Sequence, residues 1–186
     1  MAEFQILTTG YIGDRTASTV SLVRCDDGAV VVIDPGMVSS SERILGPLRD
    51  TGVDPTDVTD VVISHHHPDH TINIALFPNA RVHDHWAIYH QDLWTSRPAE
   101  GFELASDVVL WETPGHTPQD ITTVVTTGAG VVVFTHLWWS DQGPADDPYA
   151  TDSEALHQGR VRVLEVADLI VPGHGAPFEP GPATPR

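Results

Sequence analysis

The chain reads as an α+β protein in which two layers of strand carry helices packed outside them. Three observations predict this. Short runs rich in Val, Ile and Thr recur along most of the length; clusters of Gly, Pro, Asp and Asn break them; and only a few stretches space apolar residues at the helical period. At 186 residues the chain is most simply one domain, residues 1–186, long enough to bury most of the surface that its unfolded form exposes.

The first strands are expected at Phe4 to Thr8, Thr19 to Arg24 and Val30 to Asp34, the last two joined by a hairpin turn at Asp26-Asp27-Gly28. Ser40 to Arg49 reads as a helix with Ile44, Leu45 and Leu48 on one face and Gly52 in a C-cap position, although Pro47 interrupts its interior. Val61 to Ser64 is a buried strand. Thr71 to Leu76 and Asp84 to Leu93 read as helices, with a strand at Arg81 to His83 between them. Further strands follow at Val108 to Glu112, Ile121 to Thr126 and Val131 to Thr135. Ser140 to Thr151, rich in Asp, Gly and Pro, is a loop. Ser153 to Val166 is a helix whose stripe is Leu156, Val163 and Leu164, Leu169 to Val171 is the last strand, and residues 179–186 form a flexible tail.

Composition narrows the partners. Nine Lys+Arg, all of them arginine, face 26 Asp+Glu, a formal charge of −17. Such a surface repels phosphate backbones and anionic membranes, so nucleic acid is disfavoured and a small molecule is the expected substrate. No apolar run approaches the ~18 residues of a membrane span. Met1 to Ile6 carries an acidic residue where a secretory leader has basic ones, so the chain is expected in the cytoplasm. Its single cysteine, Cys25, cannot form an intramolecular disulfide and reads as a small core residue. Nothing in the sequence specifies an oligomeric state.

The chemistry is concentrated in Ser64-His65-His66-His67-Pro68-Asp69-His70, which follows the strand at Val61. At a period of two, His65 and His67 point to one side, His66 points away, and the turn at Pro68 brings Asp69 and His70 round. Neutral imidazole suits zinc, iron and other borderline metals, and a carboxylate stabilises a dication out of water. A lone buried histidine is more often a hydrogen-bonded core residue, and a triple histidine can be a tag. This run is internal, interrupted by Pro-Asp and preceded by a strand.

Three more histidines stand at strand ends. His116 lies in Thr113-Pro114-Gly115-His116-Thr117-Pro118, His174 in Val171-Pro172-Gly173-His174-Gly175, and His136 directly after Val131 to Thr135. A preceding strand gives rigid support, and glycine permits close backbone approach. His83, His85, His90 and His157 lack that context and are expected in surface or supporting roles.

These pieces, together with Val32-Ile33-Asp34-Pro35-Gly36, occur in the order found in the metallo-β-lactamase-fold hydrolase superfamily, which the chain resembles over nearly its whole length. Thr71 to Ala80, with Leu76-Phe77-Pro78-Asn79-Ala80, is similar to the short proteins grouped around metallo-β-lactamase domain-containing protein 1. The resemblance implies a four-layer αββα sandwich and a site for one or two metal ions, zinc with iron or manganese as alternatives. It implies a first metal site from His65, His67 and His116, a second from Asp69, His70 and His174, and Asp34 as the carboxylate that orients a ligand histidine.

His136 departs from the family pattern, standing where most members carry an aspartate that bridges both metals. A neutral imidazole has one free lone pair and brings no charge, so a second dication about 3.5–4 Å from the first is less well stabilised. Three arrangements follow: one tightly held metal, two metals with His136 as a terminal ligand, or a weakened site without catalysis. A bound dication lowers the pKa of water from 15.7 towards roughly 7, and Asp69 is the catalytic carboxylate expected to orient that nucleophile or accept its proton. Trp138, Trp139 and Tyr149 follow His136 and could wall the substrate, or pack in the core. A metal-dependent hydrolase of a small ester, thioester or lactone suits the acidic surface best. A phosphodiesterase or nuclease, an iron-dependent redox enzyme and a metal-binding protein without catalysis remain as alternatives.

Overall fold

The computed structural model describes all 186 residues. Twelve strands form two sheets. The first holds β1 (Glu3–Thr8), β2 (Val20–Arg24), β3 (Val30–Ile33), β4 (Asp60–Val62), β5 (Arg81–His83), β6 (Ala87–His90) and β7 (Leu93–Ser96), in that order across the sheet. The second runs β12 (Leu169–Pro172), β11 (Gly130–Thr135), β10 (Ile121–Thr127), β9 (Val108–Glu112), β8 (Phe102–Ala105). Pairing is antiparallel except β3 with β4, β4 with β5 and β11 with β12.

The inner faces of the sheets meet in one core that includes Val23, Val31, Ile33, Val62, Leu110, Val125 and Phe134. The outer face of the first sheet buries Ile44 and Leu48 of α1 (Glu42–Asp50) against Leu22, Val32 and Val61. The outer face of the second buries Leu156 and Val163 of α3 (Ser153–Leu164) against Val133 and Ile170. Helices thus cover both outer faces, which makes the αββα sandwich. At ~25 cal/mol per Å² of apolar surface removed from water, these three clusters are the main stabilising contribution.

Local chemistry explains the helix ends. Pro47 has no N–H to offer the Arg43 carbonyl four residues earlier, and the hydroxyl of Thr8 donates to that carbonyl instead. Gly52, at φ +82°, takes the left-handed position past the end of α1. Asp152 caps α3, its carboxylate accepting from the Glu154 and Ala155 N–H groups at 3.1 and 3.0 Å.

Two expectations require correction. Asp84 to Leu93 is a hairpin arm, not a helix: Asp84 Oδ1 accepts from the Trp86 and Ala87 N–H groups, turning the chain into β6. Gln91 at φ +55° and Asp92 form the two-residue turn into β7. Ile88, Tyr89, Trp94 and Thr95 favour that pleated surface over a helix. Thr71 to Leu76 is likewise not one helix, because α2 (Pro68–Thr71) ends there and a separate 3₁₀ turn covers Ile74–Leu76. His83 ends β5, buried, with Nε2 2.7 Å from Asp60 Oδ1. Strand β8 had no counterpart in the sequence reading. No helix is long and apolar enough to cross a membrane.

Candidate metal centre

β9 and β11 both run antiparallel to β10, and β12 runs parallel to β11, so the C-terminal ends of β9, β11 and β12 share one edge of the second sheet. His116, His136 and His174 leave the chain just beyond those ends. The motif that starts at Ser64 leaves the first sheet just beyond β4, and Pro68 at the first position of α2 turns Asp69 and His70 back towards it. Gly36 allows this turn to close. A Cβ there would lie 1.5 Å from the Asp69 carbonyl oxygen, and the Met37 N–H donates to that same oxygen at 3.1 Å.

The two triads implied by the resemblance both converge. His67 Nδ1 lies 2.9 Å from His65 Nε2 and 3.2 Å from His116 Nε2. Asp69 Oδ2 lies 3.6 Å from both His70 Nε2 and His174 Nε2. His136 sits between them, its ring centroid 4.3 Å from that of His116, 4.4 Å from His65, 4.9 Å from His70 and 5.1 Å from His174. Its Nε2 is 3.1 Å from His174 Nε2. His136 therefore belongs to two compact ligand groups, one with His65 and His116 and one with His70 and His174.

Partners behind the ligands set their orientation. Asp34, held at φ +52°, accepts the Ser64 N–H at 2.6 Å through Oδ1 and faces His70 Nδ1 at 2.9 Å through Oδ2. His65 Nδ1 meets Ser64 Oγ at 3.0 Å, His174 Nδ1 donates to the Ala17 carbonyl at 3.0 Å, and His116 Nδ1 faces Asp147 Oδ2 at 2.8 Å. Each of these contacts turns Nε2 towards the cluster. Asp34 was expected; Asp147, Ser64 and the Ala17 carbonyl were not. Asp147 is one of several acidic residues in a loop 31 positions from its histidine, and spacing alone does not single it out.

Burial, reinforced by repulsion from neighbouring imidazoles, pushes the His65 and His136 pKa values well below the ordinary histidine value. The same causes lower His67 and His174. These rings are neutral at pH 7 and keep a lone pair each. Burial pushes the Asp147 carboxyl up, but hydrogen bonds from His116, the Tyr149 backbone and Trp139 outweigh it and hold it below the usual carboxylate range.

A metal fits this donor set. His70 Nε2 and His136 Nδ1 are buried without any hydrogen-bond partner, a cost that an ion accepting their lone pairs removes. His65, His67, Asp69, His70, His116, His136 and His174 are the residues that would hold it.

A cavity of about 230 Å³ opens onto the cluster, lined by Ile12, Trp139 and Tyr149 beside His67, Asp69, His116, His136 and His174. The Trp139 and Tyr149 rings stack with centroids 5.8 Å apart. Trp138 does not join them and is corrected to the core. It is fully buried among Val133, Leu156 and Ile170, and its Nε1 donates to the Pro185 carbonyl at 2.9 Å. The carbonyls of Trp138 and Trp139 accept from the Gly173 and His174 N–H groups at 3.0 and 2.8 Å, and the two neighbouring side chains part, one into the core and one to the cavity. Ile12, a lone apolar residue in the loop between β1 and β2, carried no sequence signal. His66 faces outward as expected, 3.0 Å from Asp84 and stacked on Trp86.

The sandwich and its histidine-rich edge define the class. Residues 13–174 match the Metallo-beta-lactamase superfamily, and the chain belongs to it. Among curated proteins it is 31% identical to metallo-beta-lactamase domain-containing protein 1 of Xenopus laevis, the match covering 93% of this chain and 79% of that protein. It is 38% identical to the Homo sapiens protein of the same name over 80% of this chain, spanning 59% of the human sequence. Among solved structures, a Thermotoga maritima protein of the same family name superposes with a TM-score of 0.76 at 25% identity, covering 96% of this chain and 99% of that one. Two more distant structures share the fold. One, a dizinc quorum-quenching lactonase with bound product, has a TM-score of 0.61 at 20% identity, covering 84% of this chain and 72% of that one. The other, a protein in a di-iron-bound form, has a TM-score of 0.68 at 24% identity, covering 92% and 94%.

Proposed function

We propose that the chain is a metal-dependent hydrolase of a small, uncharged or weakly charged ester, thioester or lactone. The observation that carries this reading is the cluster of six imidazoles and Asp69, of which His67, His116, His136, His174 and Asp69 reach a cavity whose other walls are Ile12, Trp139 and Tyr149. No arginine lines that cavity, so it offers no guanidinium to a phosphate or a free carboxylate. The apolar wall suits an acyl or aryl group. The lactonase among the structural neighbours supports the same substrate class.

A dication held here supplies Lewis acidity towards a carbonyl oxygen and makes hydroxide available near neutral pH. Asp69, which lines the cavity and whose Oδ2 lies 3.6 Å from His70 and His174 Nε2, is the carboxylate that would hold the ion and take up a proton at this site. Asp34 and Asp147 keep the rings of His70 and His116 from turning. The stacked pair at Trp139 and Tyr149 excludes water from one side of the substrate.

The test is turnover of aryl esters, thioesters and lactones by the purified, metal-loaded chain, with and without chelator. Chelator-sensitive hydrolysis of neutral carbonyl substrates is expected. Preferential cleavage of a bis-aryl phosphate would identify a phosphodiesterase instead, and metal binding without any turnover would identify a non-catalytic protein.

A further inference from the structure

The loop from Ser140 to Thr151 is tied at both ends to ligand histidines. At its start, the Trp139 carbonyl accepts the His174 N–H at 2.8 Å. At its end, the Thr151 N–H donates to the Gly115 and His116 carbonyls at 2.8 and 3.3 Å. Arg160, a buried residue of α3, fixes the middle, its guanidinium donating to the Leu137, Ala145 and Pro144 carbonyls at 2.8, 2.6 and 2.8 Å. Asp147 is therefore carried on a rigid support.

That carboxylate joins two parts of the site. Its Oδ2 faces His116 Nδ1 at 2.8 Å and accepts from Trp139 Nε1 at 3.2 Å, while its Oδ1 accepts the Tyr149 N–H at 2.9 Å. One oxygen thus receives both a ligand imidazole and the indole that walls the cavity, with the side chain 1% exposed. We propose that Asp147 is a positioning residue that couples metal capture by His116 to the setting of the Trp139 and Tyr149 wall. Accepting the Nδ1 proton holds His116 in the tautomer that presents the Nε2 lone pair. Accepting the indole proton through the same oxygen sets the distance between that ligand and the aromatic ring. A displacement of Asp147 therefore reaches both.

The inference rests on the metal-centre part of the proposed function and not on the substrate. Its test reads metal binding and tryptophan emission. Metal-stripped wild type, Asp147→Asn, Asp147→Ala and Trp139→Phe are titrated with Zn²⁺ against a chromogenic chelator while emission is followed. Wild type should bind the ion and change its emission, and Trp139→Phe should bind with little loss but without most of that change. Asp147→Ala should weaken binding by about 10–100-fold and abolish the change, with Asp147→Asn between the two. The nearly isosteric Asn variant decides the matter if the Ala variant does not fold. Wild-type affinity and an unaltered emission response in Asp147→Asn would overturn the coupling and leave the hydrolase reading intact. Failure of the wild type to bind Zn²⁺, Co²⁺, Mn²⁺ or Fe²⁺ would overturn both.

Discussion

Gly173 and His136 share a space that admits only a hydrogen on residue 173. A Cβ there would lie 2.4 Å from His136 Cδ2 and 3.1 Å from its Nε2. The imidazole that stands in place of the family's bridging carboxylate therefore has its room made by a residue 37 positions away, at the end of β12. Because His136 is enclosed by four other imidazoles, its ring has little freedom to yield.

Gly173→Ala is accordingly expected to displace the His136 ring. The overpacking should cost about 1–3 kcal/mol in a denaturant unfolding curve, and metal affinity should fall with it. Wild-type values of both would show that the ring can move aside freely.

His136→Asp should act in the opposite direction on the metal. The substitution brings a negative charge and two oxygens to a position that already belongs to both ligand groups. Calorimetric titration with elemental analysis should show a second ion held more tightly than in the wild type. Unchanged stoichiometry and affinity would count against the charge argument.

Asp34 supports the motif from behind. Asp34→Ala leaves the Ser64 N–H without its acceptor, at about 1–3 kcal/mol, and frees the His70 ring, so metal affinity should drop by about 10–100-fold. Asp34→Asn keeps an acceptor and a residue that tolerates the left-handed φ of +52°, so it should lose less stability. The two variants separate the backbone contact from the charge when both are measured by thermal melting and metal competition.

The metal-free protein should lose stability on acidification. His65, His67, His136 and His174 all have lowered values in the folded chain, so the unfolded chain binds more protons below its ordinary value of about 6.5, and folding weakens as pH falls through that point. Asp120, pushed up to about 6 by burial, works the other way, because the folded chain keeps a proton that the unfolded chain sheds near pH 4. Four imidazoles outweigh one carboxyl. The Tm should therefore fall between pH 7 and pH 5, by about 2–4 °C for each kcal/mol lost. A flat or rising Tm over that range would mean the rings are not held neutral. Saturating metal should raise the whole curve, since it binds only the folded form.

Much of the fold was legible because the strands announce themselves locally. Val30 to Ile33 and Gly130 to Thr135 are runs that only a buried strand accommodates, and Asp26-Asp27-Gly28 joins β2 to β3 as its turn chemistry requires. The hairpin of β6 and β7 was not legible. Its β7 residues are all exposed, so no apolar alternation marks them, and the mixed run from Asp84 to Leu93 fits a helical period equally well. Trp138 and Trp139 show the same limit at the level of single residues. Identical side chains in adjacent positions end in the core and in the cavity, and only the neighbouring strand separates them.

By itself the sequence determined the kind of chemistry available, because ligand identity and spacing in His65 to His70, and glycine or proline turns at His116 and His174, are local properties of the chain. The tertiary structure decided which atoms those ligands answer to. His174 Nδ1 bonds the carbonyl of Ala17, 157 positions away, His116 bonds Asp147, and His136 enters both ligand groups only because the two sheets pack face to face and bring the histidine-bearing ends of their strands together. Such contacts depend on how two layers are set against each other, and no stretch of sequence encodes that distance until the apolar faces between them have closed.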